Sequence, residues 1–313
     1  MPSYSIALHG GAGLIERHTL SPKREALCRA ALLEVLNIGD RVLAAGGHAL
    51  DAVTDMVCAL EDTPLFNAGH GAVLTSDETV EHDAAIAVGQ GRQIGGVCAV
   101  KRMEHPILAA RAVMEHSEHV LIAGHEAERF CASHGLAMVS NASFITDERL
   151  EQLRRSDSTQ LDHDDVYGTV GAVARDRDGL LAAATSTGGM VRQHPGRVGD
   201  CPVPGAGTLA QEGLLAISGT GHGEIFLRHQ VAARIAHWME MGGLSLRQAA
   251  DRVVHDELPK GSGGVIAAAL VLLPQNDARA YHDHNCTLLA IILSIIRSTR
   301  AAAAPPSRAA ALA

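Results

Sequence analysis

Aromatic residues are almost missing from this chain: its 313 residues include four Phe, three Tyr and one Trp, 3% in all. With 47% apolar content the chain still has a sizeable core to build, so alanine, valine, leucine and glycine must fill it, which calls for close approach of backbones between layers. Long apolar runs are also lacking. The stretch LLAIILSII at 288–296 falls far short of the roughly 20 residues that a membrane helix needs. Basic clusters are absent too: Lys and Arg total 26 against 35 Asp and Glu, a formal charge of -9. The doublet Arg154-Arg155 cannot track a phosphate backbone, so neither nucleic acid nor membrane is expected as a partner. Six scattered cysteines form no CxxC pair, and no secretory leader precedes SYSIALHG; a reducing cytoplasm is the expectation. Eighteen histidines are many, but none sits in HExxH, and the tightest set is His282, Asp283 and His284. Their spacing argues against a histidine-based catalytic metal.

What is present is a grouped order of elements. A strand at 3–8 precedes helical periodicity over 22–45, stopped by Gly46-Gly47, and a second helix over 48–61. The run 65–100, apolar stretches split by glycines and charged turns, reads as successive strands. Helices over 106–116 and 125–133 flank a short strand at 119–123. The segment 148–167 is charged, loses apolar periodicity toward its end, and reads as a mobile linker. After a hairpin comes a loop-rich stretch over 188–208, then a strand at 214–218 and helices over 221–243 and 244–258. Grouping of this kind implies an α+β fold, with helices outside two stacked sheets.

Gly168-Thr169 stands directly after the charged segment, and it opens GTVGAVARDRDGLLAAATS. A threonine hydroxyl is a weak nucleophile without a base beside it. An N-terminal threonine carries one in its own α-amine, with a reference pKa of about 7.7 to 8.0. Thr169 is mid-chain, so this chemistry requires cleavage of the Gly168-Thr169 bond, and glycine suits a backbone held under strain there. If the hairpin loop is Arg177 to Gly179, Asp176 pairs with Leu180 and Thr187 faces Thr169. A two-residue loop would turn those side chains apart. The same residues also suit a plain buried hairpin, since threonine favours strands.

Six motifs stand in one order: HGGAG at 9–13, PLFNAGHGAVLT at 64–75, GTVGAV at 168–173, TSTGGM at 185–190, PGRVGD at 195–200 and SGTGHGE at 218–224. Together they resemble the isoaspartyl peptidase and plant-type L-asparaginase family of N-terminal nucleophile hydrolases, over residues 4 to 266. The resemblance implies a four-layer αββα sandwich, one structural domain cut by self-cleavage into an α subunit, 1–168, and a β subunit, 169–313. It implies hydrolysis of L-asparagine and β-aspartyl dipeptides by Thr169 as nucleophile, with Thr187 tuning its hydroxyl.

By the same resemblance, Arg197 and Asp200 clamp the α-carboxylate and α-ammonium of the substrate, with Val198 and Gly199 between them. A fork of guanidinium donors and an anion suit those two charges, although a loop salt bridge would use the same pair. Thr220 and Gly221 match an oxyanion hole, with His222 and Gly223 continuing that wall, and Asn67 lies beside the nucleophile. Main-chain carbonyls of Leu60, Glu61, Thr63, Phe66, Ala68 and His70 correspond to a structural Na+ loop; no cofactor is required for catalysis. A homodimer of cleaved αβ units is implied. HGGAG and the glycines at 219–223 could instead cradle phosphate, but both lack the P-loop lysine and a full GxGxxG.

The family pattern stops after Ile266, and 267–313 departs from it as a reading-frame shift would make it depart. Two further readings follow: an unprocessed, inactive family member or non-catalytic binding protein, and a glycosylasparaginase-like amidase. The HGGAG start counts against the second.

Overall fold

The central hairpin forms where turn chemistry and strand propensity agree. In the computed structural model, which describes residues 4–11, 21–156 and 168–269, β5 (Val170–Arg175) and β6 (Leu181–Thr187) pair from Val170↔Ser186 to Arg175↔Leu181. Asp176 donates its N–H to Leu180 O at 3.1 Å, and Gly179 takes φ +86°, so the loop is Arg177 to Gly179. The Asp176 carboxylate closes the turn by accepting from the amides of Asp178 and Leu180 at 3.1 and 2.9 Å. Around this hairpin run β1 (Ser5–His9), β2 (His82–Val88), β3 (Gln93–Val100) and β4 (Leu121–Ala123), in the order β1-β5-β6-β2-β3-β4.

A second antiparallel sheet, β7 (Thr208–Gln211), β8 (Leu215–Gly221) and β9 (Gly263–Ala269), lies over the first. Small side chains such as Ala7, Ala183, Ala216 and Ala268 fill the gap between them, together with Val173 and Ile266. Both faces of β5 and β6 are buried, which explains their near-continuous apolar sequence in place of alternation. Helices α1 (Pro22–Ala44), α2 (Ala49–Glu61), α3 (Pro106–His116) and α4 (Gly124–Ser133) pack on the outer side of the first sheet. A short helix, α5 (Asp147–Arg155), follows at some distance in the chain. Past β8 come α6 (Gly223–His229), α7 (Val231–Glu240) and α8 (Leu246–Asp251), and α7 and α8 share a core with the second sheet. The fold is α+β. Among the described residues no helix is long and apolar enough to cross a membrane.

Several expectations need correction. Only the last part of 65–100 is strand: residues 65–81 form turns and one 3-10 turn, Gly69–Gly71, because their polar groups are met by local turns and by loops far along the chain, among them Gln193 O and Asn141 Oδ1, instead of in a ladder. The segment 148–155 is helical, capped by Thr146 Oγ1, which accepts from Arg149 N at 3.2 Å. Leu153 and Arg149 bury one face of it. The rest of that expected linker, 157–167, lies outside the described residues; of the departure expected over 267–313, residues 267–269 complete β9 and the remainder lies outside the described residues. The helix expected over 221–243 is broken at Gln230, φ +50°, where the amides of Ala232 and Ala233 turn to the carbonyls of Ala206 and Gly205. Strand β7 carries no signal strong enough to separate it from the loop that precedes it.

Candidate active site

The hairpin register sets Thr169 against Thr187 at the open end of the sheet. Thr169 is 8% exposed; its Oγ1 donates to Thr187 Oγ1 at 3.2 Å, and Thr187 Oγ1 accepts from Gly189 N at 3.0 Å. The end of β1 presses on the junction. Gly11 has φ +118°, and a Cβ there would stand 2.5 Å from Gly168 N and 2.8 Å from Gly168 O. Only glycine fits both that conformation and that approach. Of HGGAG, His9, Gly10 and Gly11 are described: Gly11 meets Gly168 while Gly10 lies against the Phe66 ring; Ala12 and Gly13 lie outside the described residues.

A buried polar chain locks this end of the two sheets. His9 Nε2 is 3.0 Å from Ser218 Oγ, which is 2.7 Å from Thr185 Oγ1; Thr208 Oγ1 lies 2.7 Å from Thr185 Oγ1 and donates to Cys201 O at 2.9 Å. A Cβ on Gly171 would overlap Ser218 Oγ, so Ser218 stacks over Gly171. One step of two residues outward along β5, β6 and β8 carries Thr169, Thr187 and Thr220, all buried. Burial pushes the His9 imidazole down to about 4, against the pull of a hydrogen bond to the Thr169 backbone. At neutral pH it is uncharged and positions backbone.

Asn67 stands behind Thr187. Its Nδ2 donates to Gly189 O at 2.8 Å, its Oδ1 accepts from Val73 N at 3.0 Å, and its carbonyl accepts from Gly188 N at 3.1 Å. The turn around it is tightly wound: a Cβ on Gly69 would overlap Glu61 O and one on Gly71 would overlap Phe66 O, while Phe66 O and Ala68 O accept from the amides of Ala68 and Gly71 at 3.1 and 3.0 Å.

Arg197 and Asp200 converge across one glycine: a Cβ on Gly223 would overlap Arg197 Nη2 and lie 3.0 Å from Asp200 Oδ1. Their partners differ. The Arg197 fork closes on Glu224, Nε to Oε1 at 2.9 Å and Nη2 to Oε2 at 3.1 Å, and against the upward push of burial it holds the Glu224 carboxyl below its usual range. Asp200 Oδ2 has no hydrogen-bond partner among the described residues. Sequence reading missed Glu224 as well as two anchors of this loop. Glu81 accepts from Gly196 N at 2.7 Å while facing Lys101 Nζ at 3.2 Å, and Asp83 accepts from the amides of Gly199 and Ala99, both at 2.9 Å. Asp83 is also paired across the sheet with Thr187, so one strand positions the Arg197–Asp200 loop and the hydroxyl pair together. The only local trace is acid at 81 and 83 opening an apolar strand. Val198 is half-buried in the same loop. At the end of β8, Gly221 adopts φ +154° against Ser262, and His222 Nδ1 lies 3.2 Å from Glu224 Oε2.

Burial raises the Asp200 carboxyl to about 7, its own backbone and Arg197 opposing. An unfolded Asp titrates near about 3.9. Between those values the unfolded chain has released a proton that the folded chain keeps, so stability falls as pH rises through the window and levels off above about 7. Asp200→Asn removes that slope. In a common Thr169→Ala background, denaturant unfolding should show Asp200→Asn gaining on its parent by a few kcal/mol between about pH 5 and about pH 8. Parallel profiles would mean that Asp200 ionises like an exposed carboxylate.

Residues 2–270 match the model of a family described as asparaginase. The chain is 49% identical over 291 residues to an isoaspartyl peptidase of Salmonella typhimurium, with 88% of this chain and 93% of that protein covered. It is 48% identical over 291 residues to an isoaspartyl peptidase of Escherichia coli, covering 88% and 91%. An isoaspartyl peptidase/L-asparaginase of Bos taurus is 38% identical over 267 residues, covering 83% and 85%.

Proposed function

This chain belongs to the asparaginase family, and from that premise we propose that it is a self-processing amidohydrolase acting on L-asparagine and β-aspartyl dipeptides through Thr169. The observation that carries the reading is the Thr169–Thr187 hydroxyl contact at 3.2 Å, at a junction that Gly11 alone leaves room for. In processing, Thr169 Oγ1 attacks the Gly168 carbonyl, the acyl group shifts from nitrogen to oxygen, and water cleaves the ester, leaving a Gly168 carboxylate and a free Thr169 amine. In turnover that amine takes the Oγ1 proton as Oγ1 attacks the side-chain carbonyl of the aspartyl unit. The proton leaves with ammonia or the released amino acid, and water hydrolyses the β-aspartyl ester. Thr220 and the Gly221 N–H receive the oxyanion, while Arg197 and Asp200 take the substrate's carboxylate and ammonium.

The same reading assigns residues 1–168 and 169–313 to α and β subunits of one αββα domain, paired as a cytoplasmic homodimer. The carbonyls of Leu60, Glu61, Thr63, Phe66, Ala68 and His70 would hold a structural Na+, which contributes rigidity behind Asn67 and no step of the reaction. Purified chain should split within hours to days into two fragments on a denaturing gel, the second beginning at Thr169, as ammonia release from L-asparagine appears. N-terminal sequencing that finds only intact chain, or a new end elsewhere, would sink this reading in favour of an unprocessed protein.

A further inference from the structure

Away from the junction, three side chains of metal-ligating type meet that are far apart in sequence or separated by one helical turn. Cys58 and Glu61 lie three apart on α2 and so share a face; His105 stands just ahead of α3. Their candidate ligand atoms all fall within 4.8 Å of one another. Glu61 Oε1 is fully engaged, accepting from Ser186 Oγ at 2.6 Å and from Ile107 N at 3.0 Å. Glu61 Oε2, completely buried, receives no hydrogen bond among the described residues, nor does His105 Nδ1 make one, although the two are 3.5 Å apart. Facing only the His105 ring as an ion pair, this buried carboxylate oxygen still lacks a close hydrogen-bond donor, which is costly.

We propose that Cys58, Glu61 and His105 form a binding site for one borderline-soft divalent cation, zinc being the type case. A thiolate, an imidazole and a carboxylate are the mixture of donors that zinc takes, with a fourth position left to water. With no separation above 4.8 Å, an ion at the centre would stand no more than about 2.8 Å from each atom, so contraction by at most about 0.5 to 0.8 Å reaches the usual bond lengths of roughly 2.0 to 2.3 Å. Asp62 Oδ1 lies 3.7 Å from His105 Nε2, the position of an outer carboxylate that orients a ligating imidazole. Cys58 and His105 are partly exposed, which gives the ion a way in. Binding displaces the Cys58 thiol proton to solvent as the sulfur–metal bond forms. The site uses the Glu61 side chain, not its carbonyl, and stands independently of the amidohydrolase reading.

Metal-stripped full-length protein should take up one equivalent of zinc per chain by calorimetry. Cobalt(II) in its place should give the thiolate-to-cobalt charge-transfer absorption. Cys58→Ser should abolish that absorption, and Cys58→Ser and His105→Asn should each weaken zinc binding by more than about tenfold, at least the loss that removing an outer partner causes. His116→Asn, at a stacked surface pair with His134, should change neither. Thermal melts establish that the variants fold; if Cys58→Ser does not, His105→Asn alone decides. Absence of stoichiometric binding, or binding unchanged by His105→Asn, would overturn the site.

Discussion

Thr169→Ala is expected to leave the chain in one piece and to lower amide hydrolysis by at least about 10⁴-fold, since nucleophile and base are lost together. The alanine has no hydroxyl to attack Gly168, so no amine is freed, and without that amine no other route to a base is built at this position. The methyl group fits the space, so the loss does not arise from unfolding: Thr169 lies at the end of the hairpin, and β5 begins only at Val170. Thr169→Ser keeps the hydroxyl, so it should retain part of both activities, at reduced rates because the Thr169 methyl no longer restricts χ1. Following fragment formation on gels beside ammonia release separates the two steps. Undiminished turnover by the alanine variant would assign the chemistry to another nucleophile.

Arg197→Ala should raise the KM for L-asparagine and β-aspartyl dipeptides while leaving self-cleavage nearly untouched. Loss of a charge-assisted, two-pronged contact costs about 1.5 to 3 kcal/mol, roughly tenfold to a hundredfold in kcat/KM. The Gly168-Thr169 bond has no free α-carboxylate, so processing does not use the fork. Glu224 refines this expectation. In the structure it occupies the guanidinium donors, so an incoming carboxylate has to displace or share them. Because Glu224 is about one-third exposed, water can take up its carboxylate on release. Arg197→Lys keeps the charge but loses the fork and should fall between parent and alanine. Equal damage to cleavage and hydrolysis would mean that Arg197 supports the fold and does not hold substrate.

The features legible in the sequence are local ones. Asp-Arg-Asp-Gly between two apolar runs specifies the hairpin and its register, because turn geometry and the two-residue period of a strand act over neighbouring residues. Val170↔Ser186 is the register that a three-residue loop demands, and the Thr169–Thr187 contact follows from it. Helices α2 and α3 are legible for the same reason: their apolar faces repeat along the chain and their ends carry glycine or proline. The scarcity of aromatics correctly implies that small residues fill the space between the sheets.

Sequence pattern alone thus specifies the hairpin, the helices with clear ends and the order of the motifs. What holds the Arg197–Asp200 loop and what faces Gly168 arise only from long-range packing. Glu81 and Asp83 reach Gly196 and Gly199 across 115 and 116 residues, and Glu224 takes Arg197 across 27. Gly11 meets Gly168 only because β1 lies beside β5. Even the break at Gln230 depends on carbonyls of the 205–206 turn. Such pairings leave no periodic trace, since they are chosen by which backbone amides a buried carboxylate can reach once the sheets have stacked, and burial makes an unmet polar group too costly to leave to chance.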